Sequence, residues 1–219
     1  KRDKSLSVDW DKCIAHCHYC GKNFFFGKTE KIGYAPKVVY QQPKPEMKGY
    51  KKPAKLTNEE PLDENMKQWF ANRGIPTEVA ESEGITKVCR KMPQTEKVEK
   101  CIVFPYRVNG QLVNRKYRDG AKHFMLEANA QLVPYRIDHI KDTPECIITE
   151  GEMDALSFIV AGRDDVISVP NGAQKNLTYL DDFIETHFEN KTRIYIAADT
   201  DSKGLELRAE LVRRFGEEK

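Results

Sequence analysis

"IITEGEMDALSFI" (Ile147–Ile159) begins as an apolar strand, stops at Glu150 and turns at Gly151 into an apolar-rich helical pattern. Further along, "RIYIAADTDSKG" (Arg193–Gly204) repeats the theme, an apolar strand ending in Asp199 and Asp201. The whole region alternates. Strands are predicted at Cys146–Thr149, Val166–Val169 and Arg193–Ala197, and helices at Met153–Ala161, Leu177–Phe188 and Leu205–Phe215. That βαβαβα order predicts an α/β fold, an open and mostly parallel sheet with helices on both faces. Such sheets bind ligands outside the carboxyl ends of their strands. Glu150, Asp199 and Asp201 all fall there. The loop Pro170–Ala173, with Asn171 in it, caps the strand between them.

Three carboxylates gathered by a fold repel one another, and some are driven to protonate unless a cation is present. A hard divalent ion, Mg²⁺ or Mn²⁺, accounts for the residue type, because it takes oxygen ligands and keeps waters for substrate phosphates. Asp-x-Asp at a strand end lets two carboxylates reach one ion. Glu150 has two candidate roles, a further ligand or a general acid or base. Asp154, one helical turn on, either steadies it or a basic neighbour, or is an acid that favours the helix N-terminus. Gly204 is expected to permit a tight turn into the last helix.

Ahead of this region, "CIVFPYRVNGQLVNRKYRDGAKHFML" (101–126) reads as a β-meander whose first two strands join at Asn109-Gly110, a strong hairpin signal. Asn114, Lys116 and Arg118 share one face of the second strand. Lys122 follows the next turn, and Arg107 is expected nearby across the hairpin. Cations on one sheet face can bind phosphates; a solvated face is the frequent alternative, and their position just ahead of the acidic strands favours phosphates. Residues 63–85 read as a helical hairpin, with Asp63 as N-cap, a break at Gly74 and Pro76 at the second helix start.

Residues 29–62 carry Pro36, Pro43, Pro45, Pro53 and Pro61 among many Lys and read as a basic, extended linker. Residues 5–28 read as two short strands with a Cys-x-x-Cys, Cys17 and Cys20, as in half of a zinc ribbon. Adjacent strand residues point to opposite faces, so His16 and His18 should face away from Cys17. The other ligand pair is then expected upstream of this chain. Two ordinary thiols are the alternative.

The sequence has 219 residues, with 36 Lys or Arg against 34 Asp or Glu, unevenly spread. Residues 1–55 hold 13 basic against 5 acidic residues, and the rest 23 against 29. A basic arm before an acidic body suits a polyanion partner. No apolar run reaches membrane-spanning length and no signal peptide is visible, so no membrane role is expected. Cys101 and Cys146 sit in apolar strands and read as reduced core thiols, which places the protein in the cytoplasm. The chain opens without Met and reads as an excised piece.

"EGEMDALS" followed by "AADTDSKG" in a βαβ frame resembles the Toprim domain shared by bacterial-type primases, topoisomerases and some nucleases. Glu150, Gly151, Asp154, Asp199, Asp201 and Gly204 match its pattern. The order "HCHYCGK", linker, "RGIPTEVAESEGI" and "FPYRVNGQLVNRKYRDGAKHF" is similar to the primase half of phage and mitochondrial-type primase–helicases. Bacterial primases stand somewhat further off. The resemblance implies a DNA primase that copies single-stranded DNA into short RNA from ribonucleoside triphosphates, beside a fused or separate replicative helicase. It implies Glu150, Asp199 and Asp201 as catalytic and Mg²⁺-holding, with Lys116, Arg118 and Lys122 on phosphates or template. It divides the chain into a partial zinc-ribbon-like hairpin (1–28), a linker (29–62), an α+β primase subdomain (63–140) and a Toprim domain (141–219) that ends early. The sequence contains no Gly-x-x-x-x-Gly-Lys-[Ser/Thr] loop, so no motor activity is expected of this piece. Two rivals are a Toprim nuclease and a non-catalytic DNA-binding module of a helicase. The full set of acids argues against the second.

Overall fold

The computed structural model describes residues 6–9, 14–17, 23–25, 49–174 and 176–216. The chain divides into two compact units, Lys1–Glu46 and Met47–Lys219. In the first, β1 (Leu6–Asp9), β2 (Ile14–Cys17) and β3 (Asn23–Phe25) form an antiparallel sheet in that order. Leu6 pairs with Cys17 and Asp9 with Ile14. A third strand thus joins the two expected ones. The side chains of Cys17 and Cys20, and with them the expected zinc pair, lie outside the described residues.

The second unit opens with an extended segment that is bound rather than free. Glu60 exchanges both backbone hydrogen bonds with Lys87, at 2.9 and 2.8 Å. The Ala54 carbonyl accepts from Arg115 at 2.9 Å, and Leu62 is buried. This part of the expected linker is an edge piece of the fold. The helical hairpin follows as α1 (Glu64–Ala71) and α2 (Thr77–Ser82). Asp63 caps α1 by accepting the Met66 N–H at 3.1 Å.

An antiparallel sheet comes next, in chain order: β4 (Thr86–Lys91), β5 (Val98–Val108), β6 (Gln111–Asp119) and β7 (Phe124–Leu126). Asn109 and Gly110 both take positive φ, 50° and 72°, as a two-residue hairpin turn requires. The Asp138 carboxylate accepts both of their N–H groups, at 2.7 and 2.9 Å. β6 is buried on both faces from Asn114 to Tyr117, which removes the alternative of a solvated face. Tyr117 packs into a cluster with Val88, Met92, Cys101 and Val103, while Asn114 and Lys116 are buried on the other side.

β8 (Glu145–Thr149), β9 (Val166–Ser168) and β10 (Arg193–Ala197) form the parallel sheet, ordered β10-β8-β9. α3 (Glu152–Val160) links β8 to β9, and α4 (Ser202–Phe215) follows β10. The expected helix at 177–188 is instead a 3₁₀ helix, Thr178–Phe183, running into a π turn, Ile184–Phe188. The apolar spacing explains the difference. Leu177, Leu180 and Phe183 are buried three apart, which suits three residues per turn. Phe188 is five beyond Phe183, and a π turn carries it back to the same side. Cys101 and Cys146 are free, buried thiols. Burial raises both, Cys101 to about 11 and Cys146 to about 12, so neither is a nucleophile near neutrality.

One apolar cluster runs from Leu62 and Phe70 through Phe104 and Tyr106 to Ile148, Leu156 and Leu211. The helical hairpin, the meander and the parallel sheet therefore share a core. Arg136, 5% exposed, ties them at one edge. Its Nε donates to Glu83 at 2.9 Å, and its Nη1 donates to the carbonyls of Asp164 and Val166, each at 2.9 Å. Removing one partner of a buried ion pair leaves the other charge uncompensated. Arg136→Met is expected to cost about 3 kcal/mol, a melting temperature lower by roughly 6–12 °C. Thermal unfolding checks this against Arg163→Met, which removes a surface pair with Asp165 and should cost under about 1 kcal/mol.

Candidate active site

The strand ends of the parallel sheet lie level. Thr149 pairs with Ala197 on one side and with Ser168 on the other. β8 sits in the middle and the chain leaves it in both directions, so the crevice between β8 and β10 is the point where strand order reverses. Glu150 leaves β8 there, and Asp199 follows β10. The Asp199 N–H donates to Glu150 Oε2 at 3.4 Å. The loop after β9 closes the third side.

These residues line a cavity of about 480 Å³. Glu150, Glu152, Asp154 and Asp199 line it together with Lys116, Lys122 and Asn171. Asp154 Oδ2 accepts the Gly151 N–H at 3.1 Å. Crowding by protein, then the charge of Asp199, pushes the Asp154 carboxyl above its ordinary value. Lys122 is delivered by a turn that Asp119 holds. The buried Asp119 carboxylate accepts the His123 N–H at 2.8 Å and stands 2.7 Å from its Nδ1. Burial pushes Asp119 up, but these His123 contacts outweigh it and hold the carboxyl below its ordinary value.

A second hollow, about 330 Å³, shares Lys122, Asp154 and Asp199 with the first and continues to Trp69, Arg73 and Arg118. The Arg73 and Arg118 guanidiniums lie 3.7 and 4.4 Å from the Trp69 ring centre. The two hollows make one groove, acidic at the sheet edge and cationic with an aromatic plane at the helical hairpin.

Three expected residues sit elsewhere than the sequence suggested. Arg107 lies in a separate hollow with Glu83 and Arg136. It pairs with Leu112 near the hairpin end, four residues along β6 from Lys116. Asp201 is the N-cap of α4, its Oδ1 accepting the Gly204 N–H at 2.8 Å, and it does not line the cavity. Among the described residues no three Asp, Glu, His or Cys side chains converge as a metal site. Gly204 lies within the first turn of α4, and no left-handed turn calls for it. A Cβ there would stand 2.0 Å from the Asp199 carbonyl oxygen. The glycine is needed for a close backbone approach.

Sequence reading also missed Glu152, Trp69 and Arg73. Glu152 falls between the expected strand and the helix expected from Met153, and nothing local marks it. Trp69 follows the helical spacing of a small hairpin and Arg73 falls at its break, and only tertiary contact brings them to the groove.

Residues 147–219 match the protein family described as Toprim-like. The chain carries a Toprim domain within a primase-like fold. It is similar to the Primase homolog protein of Arabidopsis thaliana, 34% identical over 173 residues covering 73% of this chain and 50% of that protein. It is similar to the same extent to the Twinkle homolog protein, chloroplastic/mitochondrial, of the same plant, of which it covers 24%. The chain thus spans half or less of the length of these curated relatives. In fold it resembles the crystal structure of the primase fragment of the bacteriophage T7 primase-helicase protein. The TM-score is 0.57 at 20% identity, over 95% of this chain and 80% of that one.

Proposed function

We propose that this chain is the primer-synthesising part of a DNA primase. It joins ribonucleoside triphosphates on a single-stranded DNA template by Mg²⁺- or Mn²⁺-dependent nucleotidyl transfer. The observation that carries this is the groove that Lys116 and Lys122 line together with Glu150, Asp154 and Asp199 at a strand-order reversal. Phosphoryl transfer gains mainly from positioning and charge neutralisation, and a cavity lined by both signs supplies both. The cations take the phosphates. Trp69 with Arg73 and Arg118 offers a stacking plane and backbone contacts for a single strand.

The donors fit a hard divalent ion. They are carboxylate oxygens: Glu150, Asp154 and Asp199 line one cavity, and the Asp199 N–H donates to Glu150 Oε2. Glu150 and Asp199, the two carboxylates at the strand ends that line the cavity, would hold it. When bound, it supplies positive charge to a triphosphate oxygen. Zinc at Cys17 and Cys20 has no part in this step. A helicase partner, fused or separate, is proposed from the relatives' names, Twinkle homolog and T7 primase-helicase.

Among the described residues no helix is long and apolar enough to cross a membrane. Free buried thiols suit any reducing compartment that replicates DNA, of which the cytoplasm is one.

The test is incubation of the full-length protein containing this chain with single-stranded DNA, labelled ribonucleotides and Mg²⁺ or Mn²⁺. Short RNA products are expected. Cleavage of the DNA without RNA would make the site a Toprim nuclease. Retained DNA binding with neither activity would make it a binding module.

A further inference from the structure

Glu152 has no part in the reading above, yet its surroundings are unusual. It begins α3, where a carboxylate normally stays in water, but it is only 4% exposed. Its Oε1 accepts the Tyr106 hydroxyl and also Lys116 Nζ at 2.8 Å, and Oε2 accepts from Lys116 at 3.0 Å. Tyr106 is itself fully buried, its ring centre 5.4 Å from that of Tyr135. A polar chain therefore runs from the core, through Glu152, to Lys116, and both reach the cavity lining.

Lysine has a flexible four-carbon stem and an ammonium with three donors. Alone at a cavity wall it would spread over many rotamers, and binding would have to meet that ordering cost. Here Glu152 engages two of the three N–H groups. The Phe124 ring, its centre 5.0 Å from Nζ, covers another side. The third N–H is left for the cavity that also holds Glu150 and Asp199.

We propose that Glu152 is a positioning residue: through Lys116 it fixes one N–H to receive a phosphate oxygen of the bound ribonucleoside triphosphate. This rests on the primase reading of the same cavity. A carboxylate that merely tied β6 to α3 would affect folding and leave nucleotide affinity alone.

The experiment measures binding of an equimolar mixture of ATP, GTP, CTP and UTP with Mg²⁺ to the full-length protein by calorimetry. Primer-synthesis KM and kcat are measured alongside, for wild type, Glu152→Gln, Lys116→Met and the double variant. Glu152→Gln keeps the shape and drops the charge. It is expected to weaken nucleotide binding and raise KM about tenfold. kcat and single-stranded DNA binding should hardly change, while the melting temperature falls because the buried Lys116 charge loses its partner. The double variant should bind no worse than Lys116→Met alone, because Glu152 acts through Lys116.

Unchanged nucleotide affinity in Glu152→Gln, or multiplied losses in the double variant, would overturn the proposal. If Glu152→Gln does not fold, Lys116→Met/Glu152→Met removes both buried charges together and is compared with Lys116→Met. Equal affinity supports the proposal and weaker affinity overturns it. Nucleotide binding that depends on Glu152 without any primer synthesis would sink the primase reading and leave this proposal standing. No nucleotide binding by wild type would sink both.

Discussion

Asp199→Asn is expected to slow ribonucleotide incorporation by about a hundredfold or more, with the fold unharmed. The change keeps size and shape and removes one negative charge from the cavity lining. The structural work of Asp199 is done by its backbone, whose N–H donates to Glu150 and whose carbonyl packs on Gly204. The side chain is exposed and contributes charge to the cavity. That charge also pushes up the Asp154 carboxyl, so its removal relieves repulsion. The melting temperature should therefore hold steady or rise while activity falls. Initial incorporation rates and thermal unfolding on the same preparation check both halves. Unchanged incorporation would remove Asp199 from the chemistry.

Gly204→Ala is expected to reverse that pattern, with stability and activity falling together. A Cβ at 204 would lie 2.0, 2.6 and 2.8 Å from the O, C and N atoms of Asp199. All three are backbone atoms, so no side chain can swing aside. Either α4 moves away or the strand end that carries Asp199 shifts, and the Asp201 cap on the Gly204 N–H goes with it. Overpacking of this kind costs about 3 kcal/mol, or roughly 6–12 °C in melting temperature. Gly151→Ala is the control. Its new Cβ meets the Asp154 carboxylate at 3.1 Å, the far end of a side chain, and Gly151 has an ordinary extended φ of −135°. It should lose under about 1 kcal/mol. Equal stability losses at 151 and 204 would show that the close approach at Gly204 is not the constraint.

The parallel sheet was legible because its strands are continuous apolar runs separated by helical patterns, and its strand ends carry acids. The hairpin at Asn109-Gly110 was legible because few residues tolerate two consecutive positive φ angles. β4 was not, because Val88 is its only fully buried residue and its other positions are polar or half-exposed. The 3₁₀–π segment was not, because an apolar pattern of period three is close to that of an α-helix.

At the site, Glu150 and Asp199 could be placed from topology alone. Asp201 could not, because an acid just ahead of a helix can turn to the cavity or cap that helix, and the sequence is the same for both. Glu152 and Arg136 illustrate a further limit. A buried charge is recognised by its partners, and Lys116 and Glu83 are distant from them in the chain.

Template direction is the central claim, and the base sequence of the product tests it most directly. The full-length protein would be given two single-stranded DNA templates of unrelated sequence, all four ribonucleotides and Mg²⁺, and the RNA from each would be sequenced. The account predicts short RNAs complementary to each template, absent with Asp199→Asn. RNA of the same sequence from both templates, or none from either, would contradict it.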